Sequence, residues 1–512
     1  MSLPFPFEIT SYIFLVALQD GTESFHPAQT SLALAHVCQE WRAVATATPQ
    51  LWTNIQLQSG GGGLPLLSTV QKWLAWSGSF PLTISFTITP GAGRYTNTRS
   101  RRMEAEYVHL LSQHCGRWRR AKIQLLHEES AAVLGAHLNS WLRRNNTFPV
   151  LRSFELDLSP GARAPPDPQT SWSAAVHNAL LMSPYLHTLS LASWDSIVVP
   201  PSPPHSPLFL PTLRHFTLIC DYPTQIPLFN PTNLIGFVQS CTNLVSLTLG
   251  FPSVQLFQWP PSFTAVELPS LTELKLSAED YTTLAGLTDL FDAPNLTSLS
   301  FALRGDSYDD ENAAQTFGPT FLEFLDSCAD TLTHLTLHVG FIFGSADAHE
   351  AIINLSKLSS LVIGHAYDLW EWSELFKSLT FDFTSNCQTV QSPNPVLERF
   401  VFEIDPGVEF DAKLLEGTGE FLAQKEFLAS LARMVWSRRA HIIAGNASAE
   451  QITSRQVRPL STFGLGTQIV EAYTQDYGSL EWRSVREAWD SMSDFVDFDI
   501  YEALYDYDLF RQ

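Results

Sequence analysis

Charge is scarce in this chain. Only 16% of its 512 residues are Asp, Glu, Lys or Arg, and the balance is one-sided, 30 basic against 52 acidic, for a formal net charge of −22. Nucleic acids and membrane surfaces are themselves anionic, so neither is an expected partner. The six cysteines, Cys38, Cys115, Cys220, Cys241, Cys328 and Cys387, include no Cys-x-x-Cys pair, which argues against zinc binding and dithiol redox chemistry. Scattered thiols among apolar residues fit a reducing compartment, and the cytoplasm or nucleus is the expected location. No apolar run approaches the ~18 uninterrupted residues of a membrane span. The apolar start lacks a basic segment and carries Glu8, so it is not expected to be a leader peptide.

Catalytic signatures are also missing. The sequence has no His-Glu-x-x-His, no Gly-x-Ser-x-Gly, no Gly-x-Gly-x-x-Gly after a strand and no Asp-rich metal loop. The glycine run Gly60 to Gly63 has no Lys-Ser/Thr behind it, so it offers a nucleotide no cation and reads as a loop. No enzyme, cofactor or metal centre is expected. A hydrolase assembled from distant residues would need a deep pocket holding a carboxylate or histidine pair.

Periodicity is what the sequence does have. An apolar residue, two variable residues, an apolar residue, one variable residue and another apolar residue recur nine times, starting at Leu151, Leu186, Leu213, Leu244, Leu271, Leu296, Leu332, Leu358 and Leu397. Trp118 to Ile123 is a degenerate earlier copy. Six of the nine have proline two residues upstream, at Pro149, Pro184, Pro211, Pro269, Pro294 and Pro395. Proline ends a helix and presets extended backbone, as a helix-to-strand junction requires. Helical stretches precede the strands, for example Ala174 to Met182, Leu234 to Cys241 and Phe321 to Cys328. Repeated units of this kind stack, which favours a solenoid over an all-β or doubly wound domain.

Upstream, apolar residues at helical spacing (Ile9, Ile13, Phe14, Ala17, then Leu34, Val37, Cys38, Trp41, Val44) predict two amphipathic segments that face each other. Pro6 and Glu8 suit the first turn of the first helix. Trp52, Ile55 and Leu57 predict a short strand, Val70 to Trp76 a helix and Phe80 to Phe86 a strand, with Arg94, Arg99, Arg101 and Arg102 in a polar loop. The insertion Ser159 to Pro168 and the run Pro200 to Pro204 read as exposed spacers. After Phe402 the repeat is expected to stop, and Phe421 to Arg439 to form a capping helix. Glu487 to Gln512, with eight acidic residues against Arg511, is an acidic aromatic tail.

The repeat resembles the leucine-rich repeat, although the Asn or Cys that normally follows the strand is missing, so the turns need another tie. The N-terminal stretch Phe5-Pro6-Phe7-Glu8-Ile9, Ile13-Phe14, Val37-Cys38-Gln39-Glu40-Trp41-Arg42, Val44-Ala45 and Leu51-Trp52 resembles the F-box, departing at Phe5 and Gln39. The two resemblances imply an α/β solenoid: a small helical F-box (1–57), linker and degenerate first repeats (58–150), an irregular leucine-rich-repeat horseshoe (151–406), a helical cap (407–486) and the acidic tail (487–512).

The F-box resemblance implies that Phe5, Pro6, Ile9, Ile13, Phe14, Val37, Trp41 and Leu51 pack on a Skp-type adaptor and, through it, join a cullin, as in the F-box families of fungi. The repeats would then hold an unidentified target protein close to the ubiquitin-conjugating enzyme, acting by proximity. In a leucine-rich repeat the variable positions of the strand face out, which makes Ser153, Thr188, His215, Thr217, Ser246, Thr248, Glu273, Lys275 and His334 candidate target contacts. His215 and His334 are better read as contact residues than as bases. A repeat scaffold without a ligase is the alternative reading.

Overall fold

The structure, a computed structural model, describes residues 5–19, 27–59, 64–88, 98–145, 147–158, 183–192, 212–220, 231–251, 265–303, 311–338, 346–366, 369–380, 397–404, 430–431, 434 and 462–465. The expected Gly60–Gly63 loop, Arg94, both proline-rich insertions, the helix at 174–182, Cys387 and the acidic tail lie outside the described residues, as does most of 407–486.

The chain begins with three helices, where the apolar spacing predicts two: α1 (Phe7–Gln19), α2 (Pro27–Val37) and α3 (Gln39–Thr46). Cys38 causes the break. Its backbone is extended, at φ −155 and ψ 176, and its Sγ accepts the Trp41 N–H, so it caps a new helix rather than continuing the old one. Buried hydrogen bonds tie the bundle together. The Thr48 hydroxyl reaches the Val44 carbonyl (2.8 Å) and the Ser11 hydroxyl (3.0 Å), and Ser31 donates to the Leu51 carbonyl (2.8 Å). Trp52, in a 3₁₀ turn (Pro49–Trp52), donates its indole N–H to the Ala45 carbonyl and packs on Trp76 at 4.7 Å. A bundle this small buries too little surface to stand comfortably alone, and the Trp52–Trp76 contact joins it to the helix that follows.

The chain divides into two units, residues 1–244 and 245–512. In the first, β1 (Asn54–Ser59), α4 (Leu67–Trp76), β2 (Leu82–Ile88), α5 (Thr98–Ser112), β3 (Trp118–Leu125), α6 (Glu128–Asn145) and β4 (Ser153–Leu158) alternate strictly, followed by β5 (Thr188–Ala192), β6 (His215–Ile219) and α7 (Pro231–Ser240). Each strand pairs in parallel with the next one in the chain. Residues 58–150 therefore carry full strand–helix units. Arg99, Arg101 and Arg102 belong to α5 rather than to a loop, where Arg101 meets Glu129 at 3.5 Å and Arg102 meets Glu106 at 3.0 Å. Two apolar rows cross the strands in register, Ile55, Ile84, Ala121, Phe154, Leu189, Phe216 and Leu57, Phe86, Ile123, Leu156, Leu191, Leu218, and their side chains form the core. Burial alternates along β2 and β4, so the intervening polar positions keep solvent access.

The second unit repeats the scheme through β7 (Ser246–Phe251), β9 (Glu273–Ala278), α8 (Tyr281–Asp289), β11 (Ser298–Leu303), α9 (Glu311–Cys328), β12 (His334–His338), α10 (Ala346–Asn354), β13 (Ser360–Ala366), α11 (Leu369–Leu379) and β14 (Arg399–Ile404). The short strands β8 (Val266–Glu267) and β10 (Phe291–Asp292) pair only with each other. The expectation that the repeat ends at Phe402 is corrected by β15 (Thr462–Leu465), which pairs in parallel with β14. Its signal was in the sequence: Leu460-Ser461-Thr462-Phe463-Gly464-Leu465 has the repeat's spacing, but it lies far beyond the regular interval.

The missing tie of the turns is supplied by hydroxyl side chains. In the repeats that start at Leu271, Leu296, Leu332 and Leu358, the residue after the first apolar position donates to the carbonyl of its counterpart one strand back: Thr272 to Val245 (3.2 Å), Thr297 to Thr272 (3.0 Å), Thr333 to Thr297 (2.9 Å) and Ser359 to Thr333 (3.0 Å). A second set works beside the prolines, with Thr212 reaching the Pro184 carbonyl, Asn295 that of Pro269 and Thr331 that of Pro294. The carbonyls of the first set already accept two backbone N–H groups each, so their hydroxyl bonds add a further tie between strands, while the second set gives the proline carbonyls a donor.

Candidate functional site

α1 has its apolar side chains on two faces. Phe14, only 1% exposed, turns inward against Trp41 with ring centroids 4.9 Å apart, beside the buried Thr10 and Ser11. Ile9 and Ile13, which periodicity alone would turn toward the neighbouring helices and the F-box resemblance toward an adaptor, look outward, and so does Ala17. Phe5, just before α1, Phe7 and Tyr12 on it, and Val37 at the end of α2 are exposed as well, Phe5 being 53%, Tyr12 66% and Val37 60% accessible. Six of the nine large exposed hydrophobic residues among the described residues fall within the first 37 positions. Single exposed apolar side chains are ordinary, and it is their concentration in the N-terminal helices that sets this region apart.

Of the residues expected to meet an adaptor, Phe5, Pro6, Ile9, Ile13 and Val37 are exposed and Trp41 is half-buried. Phe14 and Leu51 differ from the rest: both are buried in the bundle and present no surface to solvent. Phe7 and Tyr12 are exposed members that sequence reasoning missed. The i, i+3 and i, i+4 spacing of Ile9, Tyr12 and Ile13 was the available signal.

The sheet residues expected to meet a target fall into register rows. In unit one, Ser153, Thr188 and His215 share one row, and Glu155, Ser190 and Thr217 the next. In unit two, Ser246, Glu273, Ser298 and His334 share one row, and Thr248, Lys275, Ser300 and Thr336 the next. Ion pairs neutralise part of this surface, Lys122 with Glu155 at 3.4 Å and Lys275 with Glu273 at 3.0 Å. His215 and His334 are exposed, and the Nδ1 of His334 lies 2.7 Å from the Thr333 hydroxyl.

The most buried acid–histidine pair lies elsewhere. Glu104 of α5 is fully buried, with Oε1 accepting the N–H groups of Leu126 and His127 and Oε2 lying 2.8 Å from His127 Nδ1. Burial raises its carboxyl above the usual range, against the pull of His127. Both backbone donors stand at the start of α6, so the pair caps that helix from the neighbouring one, a structural task.

No family model matches this chain, and no curated protein matches it at a significant level. Among the described residues no group of three or more His, Cys, Asp or Glu is placed to hold a metal ion, and no helix is long and apolar enough to cross a membrane.

Proposed function

We propose that this chain is the target-recognition subunit of a ubiquitin ligase of the cullin type, its N-terminal helices acting as an F-box on a Skp-type adaptor and its leucine-rich-repeat-like strands holding the target protein. The exposed apolar face of α1 carries this reading. It offers Phe5, Phe7, Ile9, Tyr12 and Ile13 to solvent at the place where the F-box resemblance puts the adaptor. A protein that left this face bare would forfeit roughly 25 cal/mol for each Å² of apolar surface a partner could cover. The residues that do seal the bundle, Phe14, Val44, Ala45, Leu51 and Trp52, are what a small helical platform needs to keep that face rigid. The ladders of parallel strands support the second half, since each strand adds one row of exposed side chains to the surface of its unit. Catalysis belongs to the assembly, and this subunit contributes proximity.

The test is co-expression with a Skp-type adaptor followed by co-purification, using Ile9→Asp/Ile13→Asp as the variant. Both side chains are exposed, so the variant folds, as circular dichroism will verify. Adaptor retained by the wild type and lost by the variant supports the reading. A well-folded wild type that retains no adaptor overturns it, and leaves a repeat scaffold outside any ligase.

A further inference from the structure

The same repeat position is used in two different ways. In unit two, four of the residues at the position after the first apolar one, Thr272, Thr297, Thr333 and Ser359, are committed to the hydroxyl ladder, between Val245 at its start and Glu398 after its end. In unit one the corresponding residues are Arg119, Arg152, His187 and Arg214. Backbone bonds place them side by side, the N–H of Arg152 on the Arg119 carbonyl (2.8 Å), that of His187 on Arg152 (2.8 Å) and that of Arg214 on His187 (2.9 Å). Arg120 and His215 stand next to this row, and the three arginines of the row and Arg120 are all exposed.

Neighbouring strands are about 4.8 Å apart, so the row spans about 14 Å. Like charges directly opposite one another across strands are destabilising. Unit one carries that cost at a position where a threonine would have supplied a bond. Among the described residues, none of Arg119, Arg120, Arg152 and Arg214 has an acidic partner, whereas Lys122 a few residues further along the sheet is already matched by Glu155.

From this we infer that the strand entrances of β3 to β6 form a binding strip for an extended, carboxylate-rich peptide segment of a partner protein. The guanidinium fork pairs with a carboxylate through two parallel hydrogen bonds, one acid to each arginine. A long nucleic acid is disfavoured by the net charge of −22 and by the shortness of the strip. The inference deepens the target-holding half of the proposed function but does not depend on the adaptor.

The experiment is fluorescence anisotropy of the full-length protein with a labelled peptide of about ten residues alternating Glu with Gly or Ser, at low and near-physiological salt, where the Debye length is about 8 Å. Arg152→Gln/Arg214→Gln should weaken binding at least tenfold, while Arg143→Gln, an exposed charge in the last turn of α6, should leave it unchanged. Ile9→Asp/Ile13→Asp should bind the peptide like the wild type, which separates failure of the strip from failure of the adaptor reading. Equal binding by wild type and Arg152→Gln/Arg214→Gln, or no binding by a folded wild type, overturns the inference. So does tighter binding of a phosphoserine peptide or a single-stranded RNA of the same charge, which would assign the strip to another class of ligand.

Discussion

Glu104 is a single carboxylate that answers for three donors. Replacing it with alanine strands the Leu126 and His127 N–H groups and the His127 ring inside the first unit. Glu104→Ala should cost about 3 kcal/mol, read as a lower urea midpoint, while Glu104→Gln, whose amide oxygen still accepts, should cost less. The pH dependence has a definite sign. A carboxyl raised above its unfolded value binds its proton more tightly in the native state, so its contribution is present on the acid side and lost as pH rises through the raised value. Urea midpoints of wild type and Glu104→Gln compared across that range should converge as pH increases. Thiols give a second test at this scale. Burial pushes Cys115, Cys241 and Cys328 to about 12. Brief alkylation of the native protein at neutral pH, mapped by mass spectrometry, should therefore mark the half-buried Cys38 and spare those three until denaturant is added.

At the level of elements, the hydroxyl ladder should be measurable on its own. Thr297→Val keeps the shape and removes one link, leaving the Thr272 carbonyl with its backbone donors, at an expected cost of about 1 kcal/mol; Thr297→Val/Thr333→Val should cost about twice that. The aromatic packing behind the same strands contributes more. Phe301 meets the rings of Phe317, Phe321 and Phe324 at 5.7, 5.5 and 6.4 Å, and Phe301→Ala should cost about 4 kcal/mol in the same titration. Close packing also dictates two glycines: a methyl at Gly116 would strike the Trp141 indole and one at Gly364 the His338 ring.

These elements show how far the sequence could be read. The strands from Leu151 to Leu397 were legible because two apolar rows must recur at fixed spacing if strands are to stack. The strand at Thr462 was not, since a long connection hides the interval, and β1 and β2 belonged to the same series without matching the degenerate copy beside them. The outward direction of Ile9 and Ile13 came only from the F-box resemblance: periodicity reveals that a helix has an apolar stripe, but not which side its neighbours occupy. The break at Cys38 required a thiol to act as a cap, a role usually filled by Ser, Thr, Asp or Asn. The second use of one repeat position, threonine in one unit and arginine in the other, emerges only when backbone bonds align the strands.

For the molecule as a whole, successive repeats from Leu151 begin 25 to 39 residues apart, yet within each unit their apolar positions pair in register, with one shift, between Ile363 and Ala366 where β13 meets β14. From β7 to β13 the hydroxyl ladder reinforces the backbone bonds that let both hold. Each link gauges one strand directly against its predecessor and takes no reference from the connecting segment between them. Insertions and deletions in the connections are thereby uncoupled from the alignment of the face, so a lineage of such proteins can redraw its outer perimeter while the spacing of its contact rows stays as it was.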